Sequence, residues 1–150
     1  SIIYVWARKE YRNLSEAYTA KVRVPKPFTV EKNVLLMEFI GENGQSAPLL
    51  REAGLKNPQR TYDKLLKYVE RLYKKAKLVH GDLSEYNVMI WKGEPIIFDV
   101  SQSVNIEHPN AKNLLERDLE NLNRYFNRIG VDVTLTEQAF RRITGAADVR

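Results

Sequence analysis

The sequence predicts an α+β fold, with a few strands set among helices, and three observations carry that prediction. Apolar residues recur at helical spacing in three separate stretches. Two short apolar runs, Val88-Met89-Ile90-Trp91 and Pro95-Ile96-Ile97-Phe98, flank Lys92-Gly93-Glu94, which reads as a tight hairpin turn. A further run, Val34-Leu35-Leu36-Met37-Glu38-Phe39-Ile40, reads as a buried strand broken by Gly41-Glu42-Asn43-Gly44. The order helix, strands, then mostly helices around one hairpin divides the chain into two unequal lobes, with a boundary between Ile40 and Ser46.

The elements follow in order. Ala7, Tyr11, Leu14 and Tyr18 share one face of a first helix, and Pro25 and Pro27 end that region. Asn57-Pro58 marks a second helix start, with Asn as cap and Pro at the first helical position. Tyr62, Leu65, Leu66, Val69, Leu72 and Tyr73 then form a core stripe. After Pro109 a long helix runs to about Ile129, with Leu115, Leu119, Leu122, Phe126 and Ile129 facing inward, and Gly130 stops it. Thr134-Leu135-Thr136-Glu137 reads as a capping box opening a last short helix.

The 150 residues suffice for one compact core, and 43% hydrophobic with 29% charged residues is ordinary for a globular protein. No apolar run approaches a membrane span, so no membrane partner is expected, and Ser1-Ile2-Ile3-Tyr4 lacks a signal-peptide pattern. The absence of cysteine excludes disulfides, thiolate zinc sites and cysteine nucleophiles, and fits a cytoplasmic protein. A net charge of +5 suits an RNA or other polyanionic partner, and equally suits solvated helix faces.

Chemistry concentrates in His80-Gly81-Asp82-Leu83-Ser84-Glu85-Tyr86-Asn87. Asp82 and Asn87 are five positions apart in a loop, and Asp99 follows the second hairpin strand. A hairpin joins its strand ends, so Asp82, Asn87 and Asp99 can converge. Phosphoryl transfer needs a carboxylate to orient a hydroxyl and accept its proton, and oxygen ligands for magnesium on the phosphates. A single loop Asp is ordinarily a turn residue, and His80 alone is ordinarily a structural hydrogen-bonder. The combination points to catalysis.

These segments resemble the RIO family of atypical protein kinases. The loop from His80 to Asn87 is similar to that family's catalytic loop. Ile97-Phe98-Asp99-Val100-Ser101-Gln102-Ser103-Val104 is similar to its metal-binding segment, in the form of the first, archaeal-like branch. Met37-Glu38-Phe39-Ile40-Gly41 and Arg117-Asp118-Leu119-Glu120-Asn121-Leu122-Asn123 agree with that branch. The resemblance implies a protein-kinase-like two-lobed fold, with a partial N-terminal lobe over residues 1–40 and a C-terminal lobe over 41–150. It implies ATP as cofactor with Mg2+ or Mn2+, Asp82 as catalytic base, and Asn87 and Asp99 on the metal. Glu38 and Ile40 would meet adenine through backbone groups, with Met37 behind it and Met89 beneath. Glu10 would be the acidic residue that pairs with a phosphate-binding lysine.

The resemblance implies serine/threonine phosphorylation, autophosphorylation, and a partner in the maturing small ribosomal subunit. No glycine-rich phosphate loop precedes the first helix, since all seven glycines lie at Gly41 or later. The expectation is therefore a C-terminal part of a longer protein, with little activity alone and an N-terminal segment as partner. Three alternatives stand beside it: an ATPase switch with a transient phosphoaspartate at Asp99, a small-molecule kinase, and a non-catalytic ribosome-assembly scaffold.

Overall fold

A computed structural model describes residues 2–145, with side chains from residue 7 onward. Helix α1 spans Ile2–Thr19 and is followed by the hairpin β1 (Pro27–Glu31) and β2 (Val34–Met37). A second small hairpin joins β3 (Gly41–Glu42) to β4 (Gln45–Ser46). Helix α2 (Pro58–Arg71) runs into a π-helical turn at Leu72–Ala76. Then come β5 (Leu78–Val79), the hairpin β6 (Val88–Trp91) and β7 (Glu94–Ile97), β8 (Val104–Asn105), α3 (Ala111–Arg128) and α4 (Thr136–Thr144).

Asn57 caps α2 as its sequence implies: the side-chain oxygen accepts from Arg60 N–H at 3.1 Å, with Pro58 in the first turn. The stripe of α2 packs against that of α3, with Tyr62 and Phe126 rings 5.3 Å apart between them. Leu14 and Ala17 of α1 join this core, as do Val22 and Val24 of the connector that follows.

Hairpin β6–β7 has ladder partners on both edges. Leu50 N–H donates to Val88 O and Ile90 N–H to Pro48 O on one side, and Ile97 N–H donates to Arg23 O on the other. Its turn is the two residues Lys92 and Gly93, both at positive φ, so Glu94 belongs to the strand opposite Trp91 rather than to the turn.

Four expectations fail, each for a local reason. The run from Val34 to Ile40 is not a buried strand: β2 stops at Met37, and Val34, Leu36, Met37 and Phe39 are about half exposed. The β1–β2 hairpin packs chiefly on α1, with Leu35 turned toward the core, so only part of its apolar surface is covered. Tyr18 is also outward, with the Lys26 ammonium 5.8 Å from its ring. Helix α3 ends at Arg128, which leaves Ile129 exposed beyond the last turn. The capping box does not form, because Leu135 occupies the cap. Asn123 takes the hydrogen bonds instead, donating to Thr134 O at 2.7 Å and Thr136 Oγ1 at 3.1 Å.

Candidate functional site

The loop between β5 and β6 has no regular structure, and side chains supply nearly all the partners its backbone needs. Asp118, 1% exposed on α3, accepts from Gly81 N–H at 2.9 Å and from Leu83 N–H at 3.0 Å. Its neighbours on α3 take the matching carbonyls, Arg117 donating to Gly81 O and Asn121 to Leu83 O. Between them, Asp82 N–H donates to His80 Nδ1 at 3.1 Å and Asp82 O accepts from Asn87 Nδ2. Every polar backbone group of residues 81–83 is thus held, while the Asp82 side chain alone stands in solvent.

The bonds of His80 fix its tautomer. Nδ1 accepts, so it carries the lone pair, and Nε2 faces Phe98 O at 3.2 Å and therefore carries the proton. One buried imidazole joins the loop of Asp82 to the segment of Asp99. Asn87 closes the loop from the other end, where its Oδ1 accepts from Ser84 N–H at 2.8 Å. Phe98 N–H donates to Asn87 O at 3.1 Å, so Asp99 leaves the hairpin one residue past the partner of Asn87.

Asp99 has φ +58, a left-handed conformation uncommon for a residue other than glycine. Its Oδ1 accepts from Ser101 Oγ at 2.8 Å. Asp99 also borders a cleft of about 390 Å³, together with Glu10 and Leu14 of α1, the segment Met37–Ile40, and Met89 of β6. Six of the eight site residues named from sequence line this one cleft: Glu10, Met37, Glu38, Ile40, Met89 and Asp99. Asp82 and Asn87 are outside the lining and reach it through the Asn87–Phe98 hydrogen bond.

The electrostatics follow from this crowding. Burial pushes the Glu10 carboxyl above its ordinary value, and the nearby Asp99 carboxylate raises it further. Burial likewise raises Asp118, opposed by its backbone donors at Leu83 and Gly81. Glu38 is held below the usual carboxylate range by its bidentate bond with Arg23, at 2.9 and 3.2 Å, helped by Lys26 N–H. Glu38 N–H donates to Lys26 O and Ile40 O accepts from Ala47 N–H. No hydrogen bond among the described residues uses the Glu38 carbonyl or the Ile40 amide.

The donor set suits a hard divalent cation. Asp99 offers a carboxylate and Asn87 Oδ1 a second lone pair, all oxygen. Two protein ligands leave coordination positions for water and phosphate, the pattern magnesium favours. Sequence reasoning missed Asp118 as a site residue. Its signal was a carboxylate on the inward face of α3, in register with Leu115 and Leu122.

The RIO domain family matches residues 1–140 of this chain. Relatives include the RIO-type serine/threonine-protein kinase Rio1 of Haloferax volcanii, 46% identical over 87% of this chain and 45% of its own length. The serine/threonine-protein kinase RIO1 of Homo sapiens is 39% identical over 95% of this chain and 26% of its own. The chain thus spans less than half the length of these relatives. Among solved structures, the Rio2 kinase from Chaetomium thermophilum superposes with a TM-score of 0.79 at 26% identity, over 93% of this chain and 45% of that one. Its ADP/Mg2+-phosphoaspartate complex superposes with a TM-score of 0.77 at 26% identity, over 93% of this chain and 44% of that one. The protein-kinase-like α+β fold is therefore established, and the chain belongs to the RIO domain family.

Proposed function

We propose that this chain carries the base and metal ligands of an ATP-dependent serine/threonine protein kinase. The observation that carries the reading is the side-chain lattice around residues 81–83, which immobilises the backbone of Asp82 and leaves its carboxylate open to a substrate. Such positioning is most of what a protein contributes to phosphoryl transfer. Asp82 accepts the proton of a serine or threonine hydroxyl as its oxygen attacks the γ-phosphorus, and ADP leaves. Asn87 and Asp99 would hold Mg2+, or Mn2+ on the same oxygen ligands, and the bound ion would neutralise charge on the phosphates. The Glu38 carbonyl and Ile40 N–H would bind the adenine edge, with Met37 behind the ring and Met89 beneath it. Glu10 awaits a cationic partner, whose arrival would relieve its repulsion with Asp99.

Transfer of labelled γ-phosphate from ATP to protein serine tests this in the full-length protein. Asp82→Asn should lower the rate by roughly 100-fold or more with folding unchanged, and a variant as active as the parent would overturn the assignment.

A second reading has specific support, because a relative with this fold has been solved as an ADP/Mg2+-phosphoaspartate complex. In it, an Asp99 carboxylate oxygen attacks the γ-phosphorus and releases ADP, and water then hydrolyses the acyl phosphate. A hydroxylamine-labile phosphoryl label that disappears in Asp99→Asn supports this ATPase switch; a label that survives the substitution excludes it. Action on the maturing small ribosomal subunit, with its RNA and proteins as partners, remains the biological setting we propose for either chemistry.

A further inference from the structure

Two clefts among the described residues lie away from the proposed nucleotide cleft, on the opposite face of α1. One, of about 740 Å³, runs between the C-terminal half of α1 and the π-helical turn. The other, of about 590 Å³, runs between the stretch of α1 from Lys9 to Glu16 and β8 with its flanking residues. They share Glu16 and Asn105, so they form one continuous groove. It follows α1 from Lys9 to Thr19, roughly 15 Å at the helical rise per residue.

Its charges are distinctive. Lys9, Arg12, Lys75 and Lys77 line the groove, and none of them joins an ion pair among the described residues. Other cations, Lys32, Lys56, Lys67 and Lys112 among them, also stand outside the ion pairs, but at separate places in the fold; what sets these four apart is that they line one groove. Four cations left open on one concave surface are suited to a polyanion. The same groove also holds two carboxylates, Glu16 and Glu107. An acidic peptide has no side-chain donors to meet them and would be repelled. RNA has both parts, phosphates for the cations and 2′-hydroxyls for the carboxylates. Among the described residues no Phe, Tyr or Trp lines either cleft, so the described lining favours a helical backbone over stacked unpaired bases.

We propose that this groove binds the backbone of helical RNA, with Lys9, Arg12, Lys75 and Lys77 on phosphates and Glu16 and Glu107 on ribose hydroxyls. This site is separate from the nucleotide cleft and does not depend on the kinase reading.

The test is fluorescence anisotropy of a labelled, mixed-sequence RNA duplex with the full-length protein, without nucleotide, across a salt series. Replacing Lys9, Arg12, Lys75 and Lys77 together by Gln should reduce the slope of log affinity against log salt by about three to four. A control replacing Lys32, Lys56, Lys67 and Lys112 by Gln removes the same charge from other surfaces and should leave the slope within about one of the parent. Circular dichroism melting verifies that both variants fold. RNA should bind more tightly than a DNA duplex of the same sequence, and Glu16→Gln with Glu107→Gln should narrow that difference. Equal losses in the two quadruple variants would reduce the effect to diffuse charge and overturn the proposal. Equal affinity for DNA, or displacement of RNA by polyglutamate at matched charge, would overturn it also, the latter in favour of an acidic protein.

Discussion

Asp118 sits at 1% exposure with both carboxylate oxygens on backbone N–H groups that bracket Asp82. Truncating it strands two buried donors, each costing roughly 1–3 kcal/mol. Asp118→Ala should therefore destabilise the chain by about 2–5 kcal/mol in urea unfolding, and Asp118→Asn by less, since it keeps one acceptor. If the alanine variant unfolds at the parental urea midpoint, the lattice does not carry the loop. Gly81 belongs to the same lattice: at φ +86, an added Cβ would lie 2.9 Å from Gln102 O, so the loop admits no side chain there. At this scale the sequence was legible in that Asp82, Asn87 and Asp99, singled out as a rare combination, belong to segments that His80 and the Asn87–Phe98 hydrogen bond join. It was opaque for Asp118 and Arg23, because their worth depends on partners 35 to 37 positions away in the first case and 15 in the second.

Among elements, the strap from Arg23 to Lys26 fixes the segment around Glu38. Arg23 O takes Ile97 N–H, its guanidinium grips Glu38, and Lys26 O takes Glu38 N–H. The folded state holds Glu38 below its ordinary value of 4.5. Its contribution is therefore present above that pH and lost as pH falls through the lower folded value. The stability gap between parent and Glu38→Gln should persist at neutral pH and close only as pH falls below the ordinary carboxylate range, in acid titration followed by circular dichroism. A gap that does not change with pH would show that the Arg23 pair is not its source. Helices α2 and α3 were legible because each carries a full apolar stripe matched to the other. The fate of β2 was not, because an apolar run records only that burial is possible. What covers it is decided by neighbouring elements, and among the described residues α1 is the main one.

Over the whole molecule, protection should be uneven. Native-state hydrogen exchange should be slowest in α2 and α3, which enclose Tyr62, Leu115, Leu119 and Phe126, and fastest in the β1–β2 hairpin, where Phe28, Val34 and Leu36 are more than half exposed. Uniform protection would contradict a stability centred on the helical part. The general architecture was legible because its helices, its β6–β7 hairpin and the loop from His80 to Asn87 are local in sequence. The groove on the outer face of α1 was not, since its wall and floor come from residues 9–20, 75–78 and 103–108.

The dependence of α1 on distant partners has a consequence for how the chain acquires its structure. Asn13 donates to Val100 O, 87 positions ahead, and Leu14 lies in a core completed by α3. The β1–β2 hairpin meets α1 early, but the docking of α1 is completed only once Val100 and α3 have been made. Its closure is a long-range contact and so a slow one. Asn13→Ala should then hasten unfolding far more than it slows refolding, marking the docking of α1 as a late step on the way to the native state.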